Sequence, residues 1–84
     1  MLAVAKIFED TLSIGAVVSV DNFDEAYNLA EDWIHGEYEA RGINSALDTK
    51  LIREIQRLLR ETNYYNIIGG EEGKSVSVQI IEIE

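Results

Sequence analysis

Leu2-Ala3-Val4-Ala5-Lys6-Ile7-Phe8-Glu9 and Ser13-Ile14-Gly15-Ala16-Val17-Val18-Ser19-Val20 are the two stretches that decide how this chain folds. Both are short, apolar and partly β-branched, and Glu9-Asp10-Thr11-Leu12 between them is a turn signal. They predict two strands joined as a hairpin. Gly15 inside the second strand predicts a bulge or a close backbone approach.

Outward from the hairpin, Asp21-Asn22-Phe23-Asp24-Glu25 is a helix start. Asn22 can cap it, and Glu25 three residues later completes a reciprocal box. Phe23, Ala26, Tyr27, Ala30, Trp33 and Ile34 then recur at helical spacing and predict one buried face. Asp24, Glu25, Asn28, Glu31, Asp32 and His35 fall on the opposite, solvent side. The helix weakens at Gly36 and must end by Gly42.

A second helix is predicted to start at Ser45-Ala46-Leu47-Asp48, or with Asp48 itself as cap. Leu51, Ile52, Ile55, Leu58 and Leu59 make its apolar stripe, and Lys50, Arg53, Arg57 and Arg60 lie on the far side. It frays near Thr62-Asn63. Tyr64 to Ile68 predicts a third strand. Successive strand residues face opposite ways, so one of Tyr64 and Tyr65 is expected to be exposed. Gly69-Gly70-Glu71-Glu72-Gly73-Lys74 reads as a turn, with Gly69 and Gly73 supplying positive φ. Ser75 to Glu84 predicts a last strand with Val76, Val78 and Ile80 on one face. The adjacent Ile80-Ile81 pair breaks the alternation and predicts a bulge, or a strand end buried on both faces. The order β-β-α-α-β-β predicts an α+β, two-layer fold. It is a mostly antiparallel sheet with two helices on one face, formed by residues 1–84 as a single domain.

The chain has 84 residues, 16 Asp and Glu against 7 Lys and Arg, a net charge of −9, no Cys, no Pro and one His. That composition excludes a disulfide framework, a Cys/His zinc site and a cysteine nucleophile. So short a chain leaves no length for a deep catalytic cleft. Self-association to a homodimer would help so small a core. No apolar run reaches membrane-spanning length, so no membrane partner is expected. Met1-Leu2-Ala3-Val4-Ala5-Lys6 lacks the basic opening of a signal peptide, so the expected compartment is the cytoplasm, of a cell or of a host cell.

Three apparent motifs fail. Gly69-to-Ser75 resembles a phosphate-binding loop, but its outer glycines are four apart rather than five. A strand pattern follows it, and two glutamates would repel the phosphate. His35-Gly36-Glu37 resembles the zinc-deaminase His-x-Glu, without the cysteine ligands. With one His and five Ser a Ser-His-Asp set is arithmetically possible, yet no Ser stands in a nucleophile-elbow context. His35 is expected to be exposed. Asp21, Asp24 and Glu25 have no EF-hand spacing, and capping with the helix macrodipole explains them. The expectation is a chain that is not an enzyme, with no catalytic residue, metal or cofactor.

The charge is uneven. Residues 1–39 carry −8, residues 40–63 carry +2 and residues 64–84 carry −3. The first helix therefore presents an acidic face (Asp24, Glu25, Glu31, Asp32, Glu39) and the second a basic one (Lys50, Arg53, Arg57, Arg60). Charged faces serve solubility in many domains, and here each is also a possible docking surface. A net charge of −9 argues against nucleic acid as the main ligand and favours a protein partner with a basic surface. The alternative is a dimeric regulatory module touching nucleic acid through Lys50, Arg53, Arg57 and Arg60.

Lys6-Ile7-Phe8-Glu9-Asp10-Thr11-Leu12-Ser13, Val18-Ser19-Val20 and Phe23-Asp24-Glu25-Ala26 together resemble the small DpnD/PcfM-like family, over residues 4–34. Those are short acidic proteins of plasmids, phages and other mobile elements. The chain departs from that pattern where the family continues with a short Ile-Val-Leu-Asp segment, of which Ala46-Leu47-Asp48 is the nearest equivalent. The resemblance carries no active site. It implies a mobile-element setting, and with it an inhibitor of a nucleic-acid-handling or defence factor, such as an anti-CRISPR protein.

Overall fold

The structure is a computed structural model and describes residues 1–68 and 75–83. The elements run β1 (Leu2–Phe8), β2 (Ser13–Val20), α1 (Phe23–Ala40), α2 (Thr49–Thr62), β3 (Tyr64–Ile67) and β4 (Val76–Glu82), with a 3-10 turn at Ser45–Leu47 before α2. The strands form one antiparallel sheet in the order β2-β1-β4-β3. The α+β class and the β-β-α-α-β-β order expected above are what the chain adopts. The expected turn at Gly69 to Lys74, with its two positive-φ glycines, lies outside the described residues.

Local chemistry sets each boundary. Asn22 caps α1, its Oδ1 accepting the Glu25 N–H at 2.9 Å, while the Glu25 carboxylate accepts the Asp21 N–H at 3.2 Å. That is the reciprocal box, displaced by one residue on its return bond. Gly36 does not interrupt the helix, which runs on to Ala40 before Gly42 turns the chain at φ +79. Asp48 caps α2 by accepting the Leu51 N–H at 3.1 Å, and Asn63 ends it in the left-handed conformation.

Register puts one apolar row under both helices. Val4 is opposite Val18 on one side and Ile80 on the other, and Tyr65 is opposite Val78. Val4, Val78, Ile80, Tyr65 and Ile67 form a single core with Ala26, Ala30 and Ile34 of α1 and Ile55 and Leu59 of α2. α1 lies over β1 and β4, and α2 over β3. Strand β2 is left largely outside that cover, with Val20 its residue packed against the core. On the other sheet face small residues alternate with large ones across the ladder, Ala3 opposite Ile81 and Ala5 opposite Gln79, and both alanines are buried.

Of two strand details expected from the sequence, the irregularity at Gly15 is present and the one at Ile80-Ile81 is not. The bulge is in β2, where the register shifts so that Lys6 pairs with Ala16 and Ile7 with Ile14, leaving Gly15 as the extra residue. β4 has an unbroken register, and Ile80-Ile81 is neither a bulge nor buried on both faces. Ile80 enters the core while Ile81 stays exposed on the sheet's other side. Of the tyrosine pair, Tyr65 is buried and Tyr64 exposed, as the alternation requires.

Candidate functional site

The α1 cap and its core stripe fix which side chains point outward. Asp24, Glu25, Asp32 and Glu39 are exposed. Glu25, Asp32 and Glu39 are seven residues apart in turn, so about 10 Å separates each from the next along one ridge. Among the described residues no cation forms an ion pair with Asp24, Asp32 or Glu39.

Glu31 behaves differently. Arg60 of α2 reaches it at 3.1 Å, and the Glu31 side chain is largely covered. The Arg60 guanidinium also stacks on the Tyr27 ring, 4.6 Å from its centroid. The two faces read from the sequence as separate therefore meet at Glu31 and Arg60, because α1 and α2 pack side by side. Glu31 is better described as a strut between the helices than as part of an open acidic face.

The basic stripe is exposed throughout, but Arg57 pairs with Glu61 one turn on at 3.2 Å. Lys50 and Arg53 are the members of the set with no carboxylate within ion-pair distance among the described residues.

Three further features escape the sequence reading. First, Glu37 is held between two cations, Lys6 of β1 at 3.0 Å and Arg41 at 2.8 Å. Burial acts to raise its pKa, but hydrogen bonds and charge from Arg41 and Lys6 outweigh that, and the net shift is downward. Lys6 between Val4 and Phe8 was the available signal: a cation on the helix-facing side of a strand needs a carboxylate above it. Second, His35 is not an exposed histidine. It is part-buried, and its Nδ1 lies 2.6 Å from the Oγ of Ser45, which is 1% exposed. A hydroxyl so enclosed offers no path to a substrate, and the contact joins α1 to the 3-10 turn. Third, Phe23 is partly exposed, stacked on Tyr27 at 5.9 Å rather than sunk in the core.

An open depression of ≈ 380 Å³ lies between the end of α2 and β3, lined by Glu54, Leu58, Thr62, Tyr64, Tyr65 and Asn66. It offers one carboxylate and no second acid or base except the tyrosines. Burial and the neighbouring Tyr38 hydroxyl, 2.7 Å away, push the Tyr65 phenol far upward, so it stays protonated. Among the described residues no three His, Cys, Asp or Glu are placed to hold a metal ion. Nor is any helix there long and apolar enough to cross a membrane. No family model, curated protein or solved structure matches the chain.

Proposed function

We propose that this chain is a non-enzymatic interaction protein whose α1 ridge (Asp24, Glu25, Asp32 and Glu39) docks on a basic surface of a protein partner. The observation that carries this reading is Glu39. It stands in the last turn of α1, where the helix macrodipole disfavours a carboxylate, and no cation among the described residues pairs with it. Glu37 in the same turn has Lys6 and Arg41; Glu39 has neither. A local rule broken without local compensation is what a surface kept for a partner displays. The ridge adds a field that speeds association and selects basic partners, more than it adds contact energy.

The basic stripe supports nucleic-acid binding less well, because Arg57 and Arg60 already face carboxylates. Taken with the DpnD/PcfM-like resemblance, the reading extends to a mobile-element product acting in the cytoplasm on a nucleic-acid-handling or defence factor. The test is affinity capture from host lysate with the wild type and with Asp32→Lys/Glu39→Lys, at low and moderate salt. Loss of basic partners in the double variant is the expected result. Equal recovery by both proteins at both salt levels would sink the reading.

A further inference from the structure

Strand β2 is an edge strand of eight residues. The stretch Thr11 to Val20 contains no charged residue and no proline, in a chain where 27% of residues are charged. Leu12 is 85% exposed, Ile14 68%, Val17 52% and Val18 42%. Natural sheets guard their edges with Lys, Pro, short strands or a bulge. The opposite edge obeys that rule, since β3 is four residues long. On β2 the bulge at Gly15 covers one end only, and Ala16 to Val20 continue in regular register with β1. Alternate residues of that run offer their unpaired backbone groups in line at the open edge, with apolar side chains above and below.

We propose that β2 pairs antiparallel with β2 of a second copy, joining two four-stranded sheets into one of eight strands about a two-fold axis at Val18. In that register Val18 faces Val18 of the second copy, and Ala16 faces its Val20. Val17 faces its Ser19 on the other side of the sheet. A strand pairing with its own copy antiparallel is self-complementary by symmetry.

Ala16 to Val20 facing its own copy puts no charge inside the seam, and the flanking carboxylates favour this orientation. Exposed carboxylates flank β2 at its Val20 end, from Asp21, Asp24 and Glu25. At its Ser13 end the carboxylates of Glu9 and Asp10 bond toward β3 and β4, away from the open edge. Glu9 accepts from the Tyr64 hydroxyl at 2.7 Å and Asp10 from the Ser75 N–H at 2.9 Å. Antiparallel pairing sets each Val20 end beside a Ser13 end whose carboxylates turn away from the edge, whereas parallel pairing would stack the Asp21, Asp24 and Glu25 ends. The acidic α1 ridges stay apart: α1 lies over β1 and β4, so in the joined sheet the two helices are four strand spacings, about 19 Å, from each other. That exceeds the screening length at physiological salt, about 8 Å.

One strand pairing buries less than the about 1,200–2,000 Å² of a stable interface, so association is reversible and depends on concentration. The test is light scattering of the full chain over a wide concentration range. The wild-type mass should rise from 9.5 kDa toward twice that value. Val18→Lys and Val18→Glu, on a half-exposed site that tolerates them, should each stay at the single-chain mass with an unchanged far-UV spectrum. Like charges would then oppose across the axis. Mixed together the two variants should associate, since Lys now faces Glu. A wild-type mass that never rises overturns the proposal, and so does equal association of wild type and both single variants. A mixture that stays monomeric overturns the Val18-centred register. Asp32→Lys/Glu39→Lys should associate like the wild type, so this proposal and the α1 reading fail separately.

Discussion

Lys6 Nζ lies 3.0 Å from Glu37 Oε1, tying the middle of the central strand β1 to the last turn of α1. Arg41 holds the other oxygen of the same carboxylate at 2.8 Å. All three side chains are largely covered, so breaking the cluster should cost more than breaking a surface pair. Fully buried pairs lose about 3–5 kcal/mol on removal of one partner and exposed ones under about 1. For Glu37→Gln we expect roughly 1–3 kcal/mol in urea unfolding, between those limits. The pH dependence follows from the sign of the shift. The Glu37 pKa is lowered from 4.5, so its contribution is present above pH 4.5 and is lost as pH falls through the lower folded value. The variant should therefore show a flatter loss of stability on the acid side than the wild type. Parallel acid limbs would contradict this account.

Gly15 is held open by Phe8. A Cβ added there would lie 2.6 Å from Phe8 Cε2 and 3.2 Å from Lys6 Cε, so the phenyl ring would have to swing aside. That ring also carries the Lys6 ammonium at 5.6 Å, so the disturbance would reach the Glu37 cluster. Gly15→Ala should cost about 1–3 kcal/mol, as overpacking does. A shift in the backbone amide resonances of both Lys6 and Glu37 should accompany it. Full wild-type stability would show that the bulge accepts a side chain.

Leu12 occupies the left-handed region at φ 53 at the tip of the β1–β2 hairpin. Its side chain is exposed and gains no packing there. The conformation costs an ordinary L-residue about 1–2 kcal/mol, and asparagine adopts it more readily. Leu12→Asn should raise stability by roughly 0.5–1 kcal/mol, a few degrees in Tm for a chain of this length. Asparagine serves better than glycine because it leaves less freedom to the unfolded chain. An unchanged or lower Tm would mean that Leu12 makes contacts the isolated fold lacks.

The elements were legible because their signals are local. Asn22, Glu25 and Asp48 announce helix starts within four residues of the bonds they make, and the alternation in Val76-Ser77-Val78 places β4 on the core. The ion pairs were legible only in part. Lys6 and Glu37 are 31 residues apart, and Glu31 and Arg60 are 29 apart. Nothing within one helical turn of any of them points to the other. The helical wheel placed Glu31 and His35 on a solvent face because it cannot see α2 or the 3-10 turn packing there. The exposure of β2 was likewise invisible, since a strand between two neighbours and a strand at an edge have the same alternation. Only the order β2-β1-β4-β3 separates them.

Glu39 links stability to the proposed function, and a substitution there should move the two in opposite directions. A lysine in the last turn of α1 meets the negative end of the macrodipole instead of adding to it, which is worth about 0.3–1 kcal/mol on an exposed site. Glu39→Lys should therefore unfold at higher urea concentration than the wild type. Its net charge changes by two units, toward neutrality, which also eases self-repulsion of an acidic chain. If the α1 ridge serves a basic partner, the same variant should bind that partner more weakly. The loss should lie in the association rate and shrink as salt rises, since exposed charges steer encounter more than they hold the complex. A variant that gains stability and keeps wild-type association at low salt would leave Glu39 an uncompensated defect and remove it from the docking surface. A variant that loses stability would show that Glu39 has a structural role the helix end does not display.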